Sequence, residues 1–160
     1  MAVNAYLVID GVEGPSTSRK KAIDILSFSF GSSNTVVIGP GASGSESRAG
    51  RADVSNVSIM KVLDKTSPIL FEHNVSGDYI KKVEIFYDKP LGDKQADYFK
   101  VTMENAVITS VQLSGSNENP TESVSFAFER IKISYNPENE QGKLAGFIDR
   151  GFDLMKLKKW

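Results

Sequence analysis

The chain has 160 residues and a mass of 17.5 kDa, the size of one ordinary domain, and a chain this long buries ~70% of the surface that its extended form exposes. Zero cysteines exclude disulfide frameworks, thiolate metal sites and cysteine nucleophiles, and a single histidine excludes a multi-histidine zinc centre and leaves only His73 for a Ser-His-Asp hydrolase. The 19 Lys and Arg against 20 Asp and Glu give a net charge of −1, which lacks the basic excess of a nucleic-acid binder. We read one domain over 1–160, with no cofactor and no nucleic-acid partner expected.

Short runs of alternating apolar and polar residues, separated by Gly, Pro, Asn and Ser clusters, predict a mainly β domain. The first strand runs from Val3 to Asp10. After GVEGPSTSRK, alternation places Leu26, Phe28 and Phe30 on one face and Ser27 and Ser29 on the other. From Gly31 to Asp53, a short apolar run, TVVIG, stands between Gly/Ser-rich segments. This extended loop, about 31–53, is either a projecting hairpin or a disordered loop, and its exposed Val36, Val37 and Ile38 suit pairing with another chain. Strand faces follow at Val57, Ile59 and Leu63, at Val83, Ile85 and Tyr87, and at Phe99, Val101 and Met103. One helix is expected, about 64–76, because Asp64 or Ser67 can cap it, Pro68 fits its first turn and Gly77 can end it. Near the end the apolar set changes from Val124, Phe126 and Phe128 to Ile131, Ile133 and Tyr135. A one-residue bulge at Glu129 and Arg130 accounts for that change and favours a closed or strongly curved sheet.

Candidate chemistry is sparse. Gly39-Pro-Gly41-Ala-Ser-Gly44 matches GxGxxG after an apolar run, with Asp64 twenty residues beyond Gly44. A dinucleotide site needs the last glycine to open a helix within a βαβ unit, and SESRAGRADVSNV carries no helical pattern. His73 has no compelling nucleophile beside it in the sequence. The carboxylate pairs Asp149/Asp153 and Glu118/Glu122 read as solvated loop charges rather than acid–base pairs. The segment Arg150 to Trp160 has a local charge of +3, four basic residues against one acidic, and reads as a short basic strand or tail. No catalytic or metal-ligating set emerges. MAVNAYLVIDGVEG lacks the pattern of a secretory signal, and no run is long and apolar enough to span a bilayer, so membrane insertion is not expected.

The blocks AYLVIDGVEG, IDILSFSFG, Gly50-Arg51, VSNVSIMKVLDKTSPILFEHNVSG, DYFKVTMENAVITSV, PTESVSFAFERIKISY and GFDLMKLKKW follow one another in an order that resembles the hemolysin-coregulated protein (Hcp) family. LDKTSP and PTESVSFAF are the more specific blocks. Phe28 and Phe30 stand where many members have tryptophan, and the loop of the 40s is this chain's own version of a variable segment. The resemblance implies a β-barrel of two sheets with one flanking helix and an extended loop, assembling as a hexameric ring. Rings would stack into the inner tube of a type VI secretion system, capped by a VgrG-type spike protein and surrounded by a contractile sheath. Contraction would drive the tube out of the bacterial cytoplasm without a signal peptide. Small effector proteins would ride in the ring, and no enzymatic activity or added toxin domain is implied. Under this reading, Val36, Val37, Ile38, Gly39, Arg48 and Arg51 are candidates for ring stacking, and Ser27 and Ser29 for the channel wall that meets cargo. A tail-tube protein of a related contractile phage-like system is the alternative.

Overall fold

The computed structural model describes residues 3–36, 52–116 and 118–160. Twelve strands and one helix are defined there: β1 (Asn4–Ile9), β2 (Ile23–Asp24), β3 (Ser27–Ser29), β4 (Ser32–Asn34), β5 (Ala52–Val54), β6 (Val57–Val62), α1 (Ser67–Ser76), β7 (Ile80–Leu91), β8 (Lys94–Ser114), β9 (Thr121–Ala127), β10 (Arg130–Tyr135), β11 (Ile148–Asp153) and β12 (Lys158–Lys159). Every strand pairing is antiparallel.

The 21-residue β8 organises the molecule. Its first half lies between β7 and β10, giving a first sheet in the order β12-β11-β10-β8-β7-β1-β2. Its second half pairs with β9, giving a second sheet that continues through β6 to β3. The two sheets enclose one apolar cluster that includes Leu7, Ile9, Val57, Ile59, Val83, Ile85, Val101, Met103, Ile108, Val124 and Phe126. Phe28, Tyr87 and Phe99 close one edge of it with ring centroids 5.4–6.1 Å apart, an aromatic packing geometry that adds to the area buried.

Three sequence expectations change here. Hydrogen bonding does not close the sheets into a barrel: β2 pairs with β1, β3 pairs with β6, and between them the chain bends, with Ile25 N–H donating to Ala5 O (3.2 Å) and Leu26 N–H to Met60 O (2.7 Å). That bend places Leu26 and Ser27 outward in succession, so Leu26 is 61% exposed instead of sharing a core face with Phe28 and Phe30, while Ile23 and Ile25 are buried. The apolar change near Glu129 involves no inserted residue. Met103 pairs with Ile131, Glu104 with Arg130, Val107 with Ala127 and Ile108 with Phe126 in unbroken register. Both strands turn over together at Asn105, whose φ of 50° lies in the left-handed region that Asn tolerates better than most residues. Its amide donates to Glu129 Oε2 at 2.8 Å. Beyond the turn Ile131 is buried, but Ile133 and Tyr135 are exposed. The true bulges lie elsewhere in β8, where Tyr98 and Thr109 are skipped by the pairing.

The helix begins at Ser67, with Thr66 as its N-cap residue and Pro68 in the first turn, and it ends at Gly77, whose φ of 68° lets its N–H reach His73 O at 3.1 Å. Strands β4 and β5 form a separate two-stranded ribbon at the base of the extended loop, anchored by Gly31 and Ser55. Residues 37–51, including the GxGxxG stretch, lie outside the described residues.

Candidate functional site

The second sheet turns two unlike faces outward and inward. Cross-strand register puts Ser27, Met60, Ser123 and Gln112 in one outward row and Ser29, Ser58, Ser125 and Ser110 in the next. Val62, Thr121 and Ser114 form a third. None of these residues is ionisable, although charged residues make up 24% of the chain. The hydroxyls partly satisfy one another. Ser58 and Ser125 share a hydrogen bond of 2.9 Å, Asn56 Nδ2 donates to Thr109 Oγ1 at 3.2 Å, and Thr109 Oγ1 donates to Ser125 O at 3.2 Å. The bulge at Thr109 makes the last bond available.

The charges of these strands are inside. Lys61 follows Val57 and Ile59 on the core-facing side of β6 and is fully buried; Glu122, its register partner on β9, is 1% exposed. Lys61 Nζ donates to Glu122 Oε1, to Ser67 Oγ (3.2 Å) and to Val62 O (3.2 Å), and lies 3.2 Å from Asp64 Oδ1. Ser67 Oγ donates to Glu122 Oε1 at 2.6 Å, and Asp64 Oδ1 accepts from Thr66 N–H (2.8 Å) and Thr66 Oγ1 (2.5 Å). A buried lysine is tolerable only when paired and hydrogen-bonded in this manner. The network joins LDKTSP to PTESV and seats the start of α1 on β6 and β9.

The first sheet is arranged in the opposite sense. Its outward face carries Lys82, Glu84, Lys100, Glu104, Arg130 and Lys132, and aromatic rings lie among them. Arg19 sits over Tyr6 and Phe86, Lys100 over Phe86 and Phe147, and Lys132 and Arg130 over Trp160. Arg19 also pairs with Asp97, and Arg130 with Glu104 at 2.5 Å. A cavity of about 490 Å³ lies among Val8, Asp10, Lys81, Lys82, Glu84, Glu104, Asn105 and Arg130. Burial raises the Asp88 carboxyl above its ordinary value, against the lowering effect of Asn4 and Arg19. The Glu138 carboxylate, hydrogen-bonded at 2.7 Å, raises Lys89.

Ser27 and Ser29 lie on β3, exposed at the edge of the charge-free face. Val36 follows the β4 ribbon strand and is 40% exposed. Val37, Ile38, Gly39, Arg48 and Arg51 lie outside the described residues. Ser58, Ser110, Ser123 and Ser125 share the face with Ser27 and Ser29 but were not singled out in the sequence, where the polar halves of VSIMKV, ITSVQLS and TESVSFA carry the signal. The carboxylates read as solvated divide differently. Glu118 and Asp149 are exposed, Glu122 belongs to the buried pair, and Asp153 is buried. Asp153 Oδ1 accepts the N–H groups of Lys156 and Met155 at 2.9 Å each, and these bonds lower its pKa. The basic C-terminal run folds back as β12, with Trp160 N–H bonded to Gly151 O at 3.0 Å. His73 Nδ1 is 3.3 Å from Asp78 Oδ2 at the end of α1. Among the described residues no group of three or more His, Asp or Glu could hold a metal ion, and no helix is long and apolar enough to cross a membrane.

A family model described as type VI secretion system effector, Hcp, matches residues 6–135. Protein hcp1 of Pseudomonas aeruginosa is 29% identical over 159 residues, covering 96% of each chain. A solved structure of a type six secretion system protein superposes with a TM-score of 0.88 at 28% identity, covering 99% of this chain and 100% of the other. Hcp1 from Salmonella typhimurium gives 0.76 at 27%, with both chains covered in full.

Proposed function

Because the chain belongs to the Hcp family of type VI secretion proteins, we propose that it is a structural subunit of the secretion tube, forming hexameric rings that stack head to tail and leave the bacterial cytoplasm on sheath contraction. The observation that carries this reading is the division of chemistry between the two sheets. A ring that must slide past one surface and enclose another needs two unlike faces. The charge-free face with Ser27 and Ser29 suits the channel wall, where small side chains leave room for effector proteins. The charged face suits the outer contact with a sheath, where ionic complementarity sets register and specificity. A ring also needs heterologous contacts, in which two different patches of one chain meet. Exposed apolar side chains lie in separate places away from the charge-free face: Phe71 and Val75 on α1, and Ile148, Met155 and Leu157 near the C-terminus. In this reading the extended loop would serve ring stacking, and a VgrG-type spike would close the stack. The role is structural, with no enzymatic step.

Light scattering on the purified protein, with negative-stain imaging of the same peak, tests the reading. Annular particles at six times the chain mass are expected; a stable monomer at micromolar concentration overturns it. Replacing Val37 and Ile38 together with Asp should leave rings intact and weaken stacking, and unchanged tube formation would remove the loop from that role.

A further inference from the structure

We propose that Asn4, Asp88, Asp97 and Arg19 form a proton-operated latch: with Asp88 protonated the start of β1 is held to the β7–β8 hairpin, and with Asp88 ionised it opens more readily. The latch lies within one chain and does not rest on the tube reading.

Asp88 sits on β7 between Asn4 of β1 and Asp97 of β8, its register partners on either side. It is 6% exposed, and its Oδ1 has no hydrogen-bond partner. The cations nearby are committed elsewhere. Arg19 pairs with Asp97 and lies over the rings of Tyr6 and Phe86, at 5.2 and 4.3 Å from their centroids, and Lys89, next along β7, pairs with Glu138. The charged groups facing Asp88 are therefore Asp97 from β8 and Arg19 from the segment before β2, while β1 presents the neutral Asn4. A carboxylate so placed lacks water, lacks an ion-pair partner and meets a second carboxylate, and each of these disfavours its charged form. Burial is the largest cause of the rise in the Asp88 carboxyl; Asp97 adds to it, and Asn4 and Arg19 oppose it without cancelling it. A proton suits the site better than a metal ion, because Arg19 already neutralises Asp97. Once ionised, Asp88 gains by reaching water. The covering that yields most easily is the start of β1, because β2 flanks that strand only at Tyr6 and Leu7 and leaves Asn4 and Ala5 laddered to β7 alone. A carboxyl raised in the folded state contributes stability that is complete below its ordinary value of 3.8 and is lost as pH rises through the folded value.

The test is amide hydrogen exchange on the full-length protein, read by mass spectrometry on peptides covering β1 at about pH 4.5 and about pH 7.5 and corrected for intrinsic rates. Exchange at the start of β1 should be about threefold or more faster at the higher pH, since each pH unit by which Asp88 is displaced is a factor of about ten. The amides of Met155 and Lys156 provide the reference: they bond to Asp153, whose carboxyl those bonds lower, so their exchange should change by less than about twofold. Asp88→Asn, which fixes the neutral form, should exchange slowly at both pH values. Asn4→Ala removes a group that favours the charged form and should move the midpoint of the change to higher pH; it serves where the first variant does not fold. A change of less than about twofold in the unmodified protein, a change of opposite sign, or an undiminished change in Asp88→Asn overturns the proposal. Slow exchange restored at about pH 7.5 by about 5 mM calcium also overturns it, because the cluster would then be a metal site.

Discussion

The second sheet buries a lysine–glutamate pair and exposes hydroxyls; the first buries aliphatic side chains with Asp88 and Asp153 and turns its other ions outward, laced with aromatic rings. Both obey the same two-residue alternation, so the contrast shows that alternation assigns residues to faces without deciding which face meets water. On β6, Lys61 takes the inward position after Val57 and Ile59 because Glu122, Ser67 and Asp64 converge there to receive its ammonium group. On β8 and β10, Glu104 and Arg130 meet at the same level of the sheet but at 29% exposure each, where solvent screens them. One pair is structural and the other superficial.

That contrast is broken most severely at its buried end. Lys61→Met leaves the Glu122 carboxylate without its cation, and a loss of about 3–5 kcal/mol in urea denaturation is expected. Lys61→Met with Glu122→Leu should recover most of it, and failure to recover would show that the pair does more than satisfy itself. Gly151→Ala acts on the other sheet. A Cβ there would stand 2.8 Å from Ile131 O and 3.1 Å from the Trp160 ring, so a loss of about 1–3 kcal/mol is expected, with a shift in the fluorescence of Trp160, the single tryptophan. Glu104→Gln removes the half-buried partner of Arg130 and should cost less than about 1 kcal/mol. An effect as large as that of Lys61→Met would erase the distinction between the sheets. Ser125→Ala, at the charge-free face, should stay within about 0.5 kcal/mol of the parent and should leave ring formation unchanged.

Much of the architecture was legible in the chain. Alternation located the strands around Val57, Val83, Val101 and Val124; Pro68 and Gly77 bracketed the helix; and the ordered blocks from AYLVIDGVEG to GFDLMKLKKW pointed to the family that the comparisons establish. Less legible was everything that required knowing a distant neighbour. Leu26 read as core because the bend between β2 and β3 depends on Ala5 and Met60, which receive the chain on two different strands. The change at Glu129 read as a bulge because Asn105, which turns the opposing strand at the same level, is 24 residues away. Glu122 read as a solvated charge because its cation lies 61 residues earlier.

By itself the sequence determined the strand content, the helix stop, the absence of thiol and multi-histidine chemistry, and the supply of small hydroxyls at alternate positions, since each of these is set by side-chain type and short-range geometry. Tertiary structure decided that the sheets share one long strand without closing a barrel, that the serine rows gather into one charge-free face, and that a lysine and a glutamate are buried together. Those outcomes depend on which strands hydrogen-bond and on what covers each face, and pairing across tens of residues leaves no local mark in the chain.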